Sequence, residues 1–183
     1  HGTMVLSCMG GNMTGQLVGT APDADYWLLR SEDAPTEHLV EEYYWAAAAE
    51  FSDSVGADVI NSSLGYTTFD DPSNNHTYAE MDGQTTPCSR AANYAARKGI
   101  IVVCSAGNSG SSSWFYVGAP ADADSAMAVA ATNASGGVAG FSSRGSLTIF
   151  GDVKPNVAAQ GEQSVVCDPF GTGIMTGNGT SFA

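Results

Sequence analysis

The sequence predicts an α/β protein, a three-layer α/β/α arrangement around a mainly parallel central sheet. Two observations carry that prediction. Short β-rich runs alternate with Ala-rich runs of helical character along the whole chain, and strand–helix–strand alternation favours a parallel sheet covered by helices. Residues 100–104 (IIVVC) form an unbroken, largely β-branched run, the pattern of a strand buried on both faces.

Each element follows from its local pattern. Residues 25–30 (DYWLLR) read as a strand. Residues 37–51 read as a helix, with Leu39, Val40, Tyr43, Tyr44, Ala47 and Ala48 near a helical period. Residues 58–61 (DVIN) read as a short buried strand. Residues 88–98 read as a second helix, with Arg97 and Lys98 in the last turn, where cations suit the dipole, and Gly99 as the stop. Residues 126–132 read as a further strand. The polar stretch 66–87 and the Gly/Ser stretch 109–113 read as surface insertions.

Composition excludes several classes of function. The chain has 183 residues, the size of one domain with a real core. With 6 Lys+Arg against 19 Asp+Glu, its formal charge is −13, which disfavours binding to nucleic acid or to anionic membrane. No apolar run approaches the roughly 20 residues of a membrane helix. Between positions 31 and 82 there are 12 acidic residues and no Lys or Arg. This window reads as a solvated acidic surface of a secreted protein in preference to a device for basic substrates.

Three short blocks carry chemistry: His1-Gly2-Thr3-Met4-Val5, then Ser105-Ala106-Gly107-Asn108, then Gly177-Asn178-Gly179-Thr180-Ser181-Phe182-Ala183. Each alone is weak. Asn108 sits in good turn chemistry, and Ser181 could serve as a helix N-cap. Together and in this order they resemble the active-site blocks of subtilisin-like serine peptidases, the subtilases. Val18-Gly19-Thr20-Ala21-Pro22, Asn61-Ser62-Ser63-Leu64-Gly65, Phe141-Ser142-Ser143-Arg144-Gly145 and Lys154-Pro155-Asn156-Val157-Ala158-Ala159 also resemble family segments. The likeness therefore covers essentially the whole chain and implies the subtilisin-like version of the α/β/α fold.

The resemblance implies a serine endopeptidase acting on polypeptides. Ser181 is the expected nucleophile, His1 its general base and Asn108 a donor to the oxyanion. The chemistry needs these types: a Ser hydroxyl requires a neighbouring base, His exchanges protons near neutrality, and a tetrahedral oxyanion requires preplaced donors. Chain order separates rival folds. The α/β-hydrolases place Ser before His, within G-x-S-x-G. The chymotrypsin order fits, but that fold is all-β and conflicts with the Ala-rich helices. The subtilisin order, Asp then His then Ser, puts the Asp before His1.

That Asp block is absent from the sequence, as is the family's helix after the nucleophile. The 183 residues are expected to be one domain trimmed at both ends, completed by upstream and downstream segments of a parent protein. By the same resemblance Ser63, Leu64 and Gly65 pair with an extended substrate. Ser105, Ala106 and Gly107 wall the primary specificity pocket, and Gly118 lies at its base, leaving room for a large apolar side chain. No cofactor is required. The family admits structural Ca²⁺, for which Asp70, Asp71 and Asp82 offer oxygen ligands without an EF-hand spacing, and no His/Cys spacing suggests zinc. The four Cys (Cys8, Cys88, Cys104, Cys167) allow three pairings, and Cys104 reads as a packed thiol.

Overall fold

The computed structural model describes residues 1–145 and 153–183. The element order is α1 (Gly2–Gly10), β1 (Asn12–Met13), β2 (Leu17–Val18), α2 (Val40–Ser54), β3 (Val59–Ser62), α3 (Pro87–Arg97), β4 (Ile101–Ser105), β5 (Met127–Thr132), β6 (Val157–Gln160), β7 (Ser164–Cys167) and β8 (Ile174–Gly177). Strands β3, β4, β5 and β6 lie side by side in that order, all parallel. The register sets Val59 beside Ile101, Val103 beside Met127 and Val129 beside Val157. Strands β7 and β8 form a separate antiparallel hairpin. The α/β class and the parallel sheet are as the sequence predicts.

Helix α3 has clear local causes. Thr86 caps it, its Oγ1 accepting the Ser89 N–H at 3.3 Å, and Pro87 occupies the first turn, where its missing N–H costs nothing. Gly99 follows at φ +100°, a left-handed conformation that suits glycine at a helix end. Helices α2 and α3 pack against each other and supply Trp45, Ala49, Ala92 and Ala95 to the core, where they meet Val102 and Cys104 of β4.

Four expectations are corrected. Residues 25–30 form no strand: Trp27 and Leu28 are 65% and 72% exposed. The segment has strand-like composition but pairs with no strand among the described residues, and a strand exists only through its pairing. Helix α2 buries a different face from the one its apolar residues suggested. Tyr43 and Tyr44 face solvent, while Glu41, Glu42, Trp45, Ala49 and Ser52 face inward. Trp45 fixes this rotation by donating its indole N–H to Ser62 Oγ at 2.9 Å in the core. The acidic window is therefore not simply a solvated face. Strand β4 is buried on one face only, because Ile101 on the other is 55% exposed. Finally, residues 66–87 are not a mere surface insertion. Tyr66, Phe69 and Met81 are buried in the core cluster.

Buried polar groups inside this core are paired over long sequence separations. His76 Nε2 lies 2.5 Å from Glu42 Oε1, with both side chains nearly inaccessible. Cys88 Sγ donates to the other Glu42 oxygen at 3.4 Å. Ser89 donates to the buried Asp122, which also accepts the Gly83 N–H at 2.8 Å. The Lys154 ammonium donates to the Ala123 carbonyl at 2.8 Å and to that of Ala126. Burial pushes the Cys104 thiol up to about 12, consistent with a packed, inert group.

The hydrogen bond to Glu42 raises the His76 pKa above its usual 6.5, outweighing the opposing effect of burial. A raised imidazolium value means that this pair's stabilisation is complete below about 6.5 and is lost as pH rises through the folded value. Urea unfolding between pH 5.5 and 9 should therefore show the wild type losing stability relative to His76→Asn as pH rises. Parallel pH profiles for the two proteins would contradict this assignment.

Candidate active site

Parallel strands deliver their C-terminal loops to one edge of a sheet, where ligand sites in α/β proteins form. Strand β3 ends at Ser62 and passes into Ser63-Leu64-Gly65, and β4 ends at Ser105 and passes into Ala106-Gly107-Asn108. The hairpin β7–β8 then returns the chain so that Gly179 donates its N–H to the Gly161 carbonyl, just after β6, at 2.8 Å. That close approach requires glycine at 161, since a Cβ there would lie 2.5 Å from the Gly179 carbonyl and 2.6 Å from Ala131 Cβ. Ser181 sits within the short 3₁₀ turn Thr180–Phe182, whose cap position is held by Gly179 and not by Ser181.

These loops enclose a cleft of about 170 Å³. All seven residues expected to bind substrate (Ser63, Leu64, Gly65, Ser105, Ala106, Gly107, Gly118) line it, together with Asn108 and Ser181. Gly118 stands where a Cβ would lie 2.8 Å from Thr67 Cγ2, so any larger residue would displace the wall. Gly107 has φ +103°, and a Cβ there would meet Ser143 Oγ at 2.9 Å. Two aromatic lining residues, Trp114 and Tyr116, escaped the sequence reading, as did Thr67, Ser109 and Ser143. The aromatic pair adjoins the Gly/Ser stretch 109–113, which was read only as a surface loop. Tyr78 stacks on Tyr116, with centroids 4.1 Å apart, and braces that wall from behind.

Thr180 joins the two loops that matter most. Its N–H and its hydroxyl both donate to Asn108 Oδ1, at 2.9 and 3.0 Å. Its Oγ1 in turn accepts the Gly107 N–H at 3.2 Å. With Oδ1 doubly occupied, the remaining polar function of Asn108 is its Nδ2, which is only a donor. A Ser63 Oγ–H···O=C bond of 3.3 Å to Ser181 ties the same turn to the β3 loop.

His1 opens helix α1, which packs on β2, β7 and the Thr180–Phe182 turn. Ser7 anchors this helix by accepting the Cys167 N–H at 3.0 Å. The His1 ring lies 6.3 Å from that of Phe182, between centroids, next to Ser181 in sequence. His1 does not line the cleft itself. Among the described residues no carboxylate hydrogen-bonds or pairs with its ring. Of the acidic residues expected to suit Ca²⁺, Asp71 caps its own turn through the Ser73 N–H at 2.9 Å. Asp82 likewise accepts the Gln84 and Thr85 N–H groups at 2.8 and 2.7 Å. Asp70 accepts the Glu37 N–H at 3.2 Å. All four cysteines are free thiols.

The subtilase family model matches residues 1–183, and the chain belongs to that family. It is 35% identical over 151 residues to subtilisin DY of Bacillus licheniformis, covering 79% of this chain and 47% of that protein. It is 33% identical over 148 residues to the thermophilic serine proteinase of Bacillus sp. strain AK1, covering 79% of this chain and 32% of that protein. The chain thus spans from 32% to 47% of these relatives' length. Among solved structures, the self-cleaved protease domain of PatA superposes with a TM-score of 0.77 at 26% identity, covering 100% of this chain and 62% of that one.

The Thr180 bonds can be tested separately from any chemistry. Thr180→Val keeps the shape, removes one donor to Asn108 and strands the Gly107 N–H. Its urea midpoint should fall by the equivalent of about 2 kcal/mol. An unchanged midpoint would mean that the hydroxyl does not hold these loops together.

Proposed function

We propose that this chain is the peptide-hydrolysing part of a secreted serine endopeptidase, working through an acyl-enzyme on Ser181. The observation that carries this reading is the convergence of Ser181, Asn108 and every expected substrate-contacting residue on one cleft at the C-terminal ends of β3 and β4. A polypeptide lying extended along Ser63-Leu64-Gly65 would present its carbonyl to Ser181. His1 takes the hydroxyl proton as the C–O bond forms, then returns it to the departing amine. The developing oxyanion accepts from Asn108 Nδ2, held in place by Thr180. Water then repeats the sequence on the ester and releases the acid. The side chain preceding the scissile bond enters the space above Gly118, between Trp114 and the Ser105-Ala106-Gly107 wall. A large apolar group suits that lining.

A catalytic His needs a carboxylate to hold its tautomer and stabilise the imidazolium. We assign that carboxylate to an Asp on a segment of the parent protein preceding His1. Support for an additional strand comes from the sheet: β3 lies at its edge, and residues 25–30 have a composition fit for pairing but belong to no strand among the described residues. The acidic balance of the chain suits a soluble extracellular protein and opposes nucleic-acid binding. Among the described residues no helix is long and apolar enough to cross a membrane.

The second reading is a non-catalytic peptide-binding module, favoured by the lack of a carboxylate at His1 among the described residues. A fluorophosphonate probe separates the two. Applied to the parent protein, it should label Ser181, label nothing in Ser181→Ala, and label His1→Ala slower by several orders of magnitude. Absence of labelling at Ser181 would leave the binding module as the better account.

A further inference from the structure

Three carboxylates meet outside the cleft. Glu32 and Glu37 precede helix α2, and Glu41 lies in its first turn. One oxygen from each falls within 4.8 Å of the others. Glu41 is 1% exposed, deeper than any ordinary surface acid. Its Oε1 accepts the Asp33 N–H at 3.2 Å, but its Oε2 is buried with no hydrogen-bond partner among the described residues. A buried carboxylate oxygen left without a partner is costly and calls for one. Positions 31–82 contain no Lys or Arg, and Arg30 pairs with Asp33 at 3.7 Å in solvent. Asp70, on the Glu37 N–H, adds a further negative group beside the three.

We propose that Glu32, Glu37 and Glu41 form a site for one hard divalent cation, Ca²⁺. All the donors are carboxylate oxygens, the ligands of a hard ion, with none of the nitrogen or sulfur that zinc prefers. Oxygens spread over up to 4.8 Å close around Ca²⁺ at its usual radius of about 2.3–2.6 Å, whereas Mg²⁺ demands a tighter octahedron. The ion gives Glu41 Oε2 its missing partner and offsets three clustered negative charges. It also reaches the cleft indirectly. The Tyr66 hydroxyl donates to Glu32, and the Tyr66 N–H is held by the Ala119 carbonyl at 2.8 Å. Tyr66 directly follows the Ser63-Leu64-Gly65 wall, so a bound ion ties the start of α2 to that wall. None of this depends on whether Ser181 is acylated.

Terbium, a luminescent stand-in for Ca²⁺, tests the site directly on this chain. Sensitised by the adjacent Tyr66, its emission should saturate at one ion per chain and be displaced by Ca²⁺. Equilibrium dialysis with radioactive Ca²⁺ should give the same stoichiometry. Glu37→Gln, at a partly exposed position, should weaken binding by about tenfold or more. Glu32→Gln should do the same, and Asp71→Asn should bind as the wild type does. Circular dichroism of each variant checks that the fold persists. Absence of saturable Ca²⁺ uptake by the wild type would overturn the proposal. So would an affinity unchanged in both folded glutamate variants.

Discussion

Parallel pairing of β3, β4, β5 and β6 forces every loop that leaves the C-terminal end of a strand onto the same edge of the sheet. The cleft depends on that constraint. Ser63-Leu64-Gly65 and Ala106-Gly107-Asn108 stand side by side because Ser62 and Cys104 are register partners in adjacent parallel strands. The turn holding Ser181 is a late arrival, brought in by the β7–β8 hairpin and pinned against the sheet at Gly161 and Gly179. Long-range hydrogen bonds hold that turn in place. Thr180 and Ser63 supply them, from opposite sides.

The same sheet explains where the molecule is weakest. Helices α2 and α3 cover the face carrying Val102 and Cys104, while Ile101 and Val157 at the sheet's other positions are substantially exposed. Exposed apolar positions on strands, together with the exposed Trp27 and Leu28, form surface that monomeric proteins usually cover. On the covered side the core relies on paired polar groups as much as on apolar contact. His76 with Glu42 joins the 66–87 stretch to α2, Ser89 with Asp122 joins α3 to the segment before β5, and Lys154 holds two carbonyls of that same segment, all across long sequence separations. Removing one partner leaves the other polar group buried and unsatisfied, which costs more than the pair's net contribution.

Sequence made the catalytic candidates legible because their signals are local. Gly107-Asn108 and Gly179-Thr180-Ser181 are short blocks in which glycine freedom and polar chemistry sit within a few residues of one another. The strands β3, β4 and β5 were legible for a similar reason, as brief apolar runs, the middle one largely β-branched. What escaped was whatever depends on a distant partner. Residues 25–30 have the composition of a strand, yet nothing pairs with them. The Tyr43 and Tyr44 side chains suggested the wrong buried face for α2, because the residue that orients the helix, Trp45, does so through Ser62, 17 positions away. His76 and Glu42 are 34 positions apart, and nothing local marks either as buried. Trp114 and Tyr116 were hidden behind a Gly/Ser stretch that looked like plain surface loop.

In the proposed chemistry Ser181 and Asn108 act on one carbonyl. A crystal structure of the parent protein with a peptide boronic acid tests it most directly, because boron bonded to a serine mimics the tetrahedral intermediate. The account requires boron on Ser181 Oγ, a boronate oxygen within hydrogen-bond distance of Asn108 Nδ2, and the inhibitor's terminal side chain above Gly118. Boron on another residue, or an Asn108 amide turned away from the boronate oxygen, would contradict it.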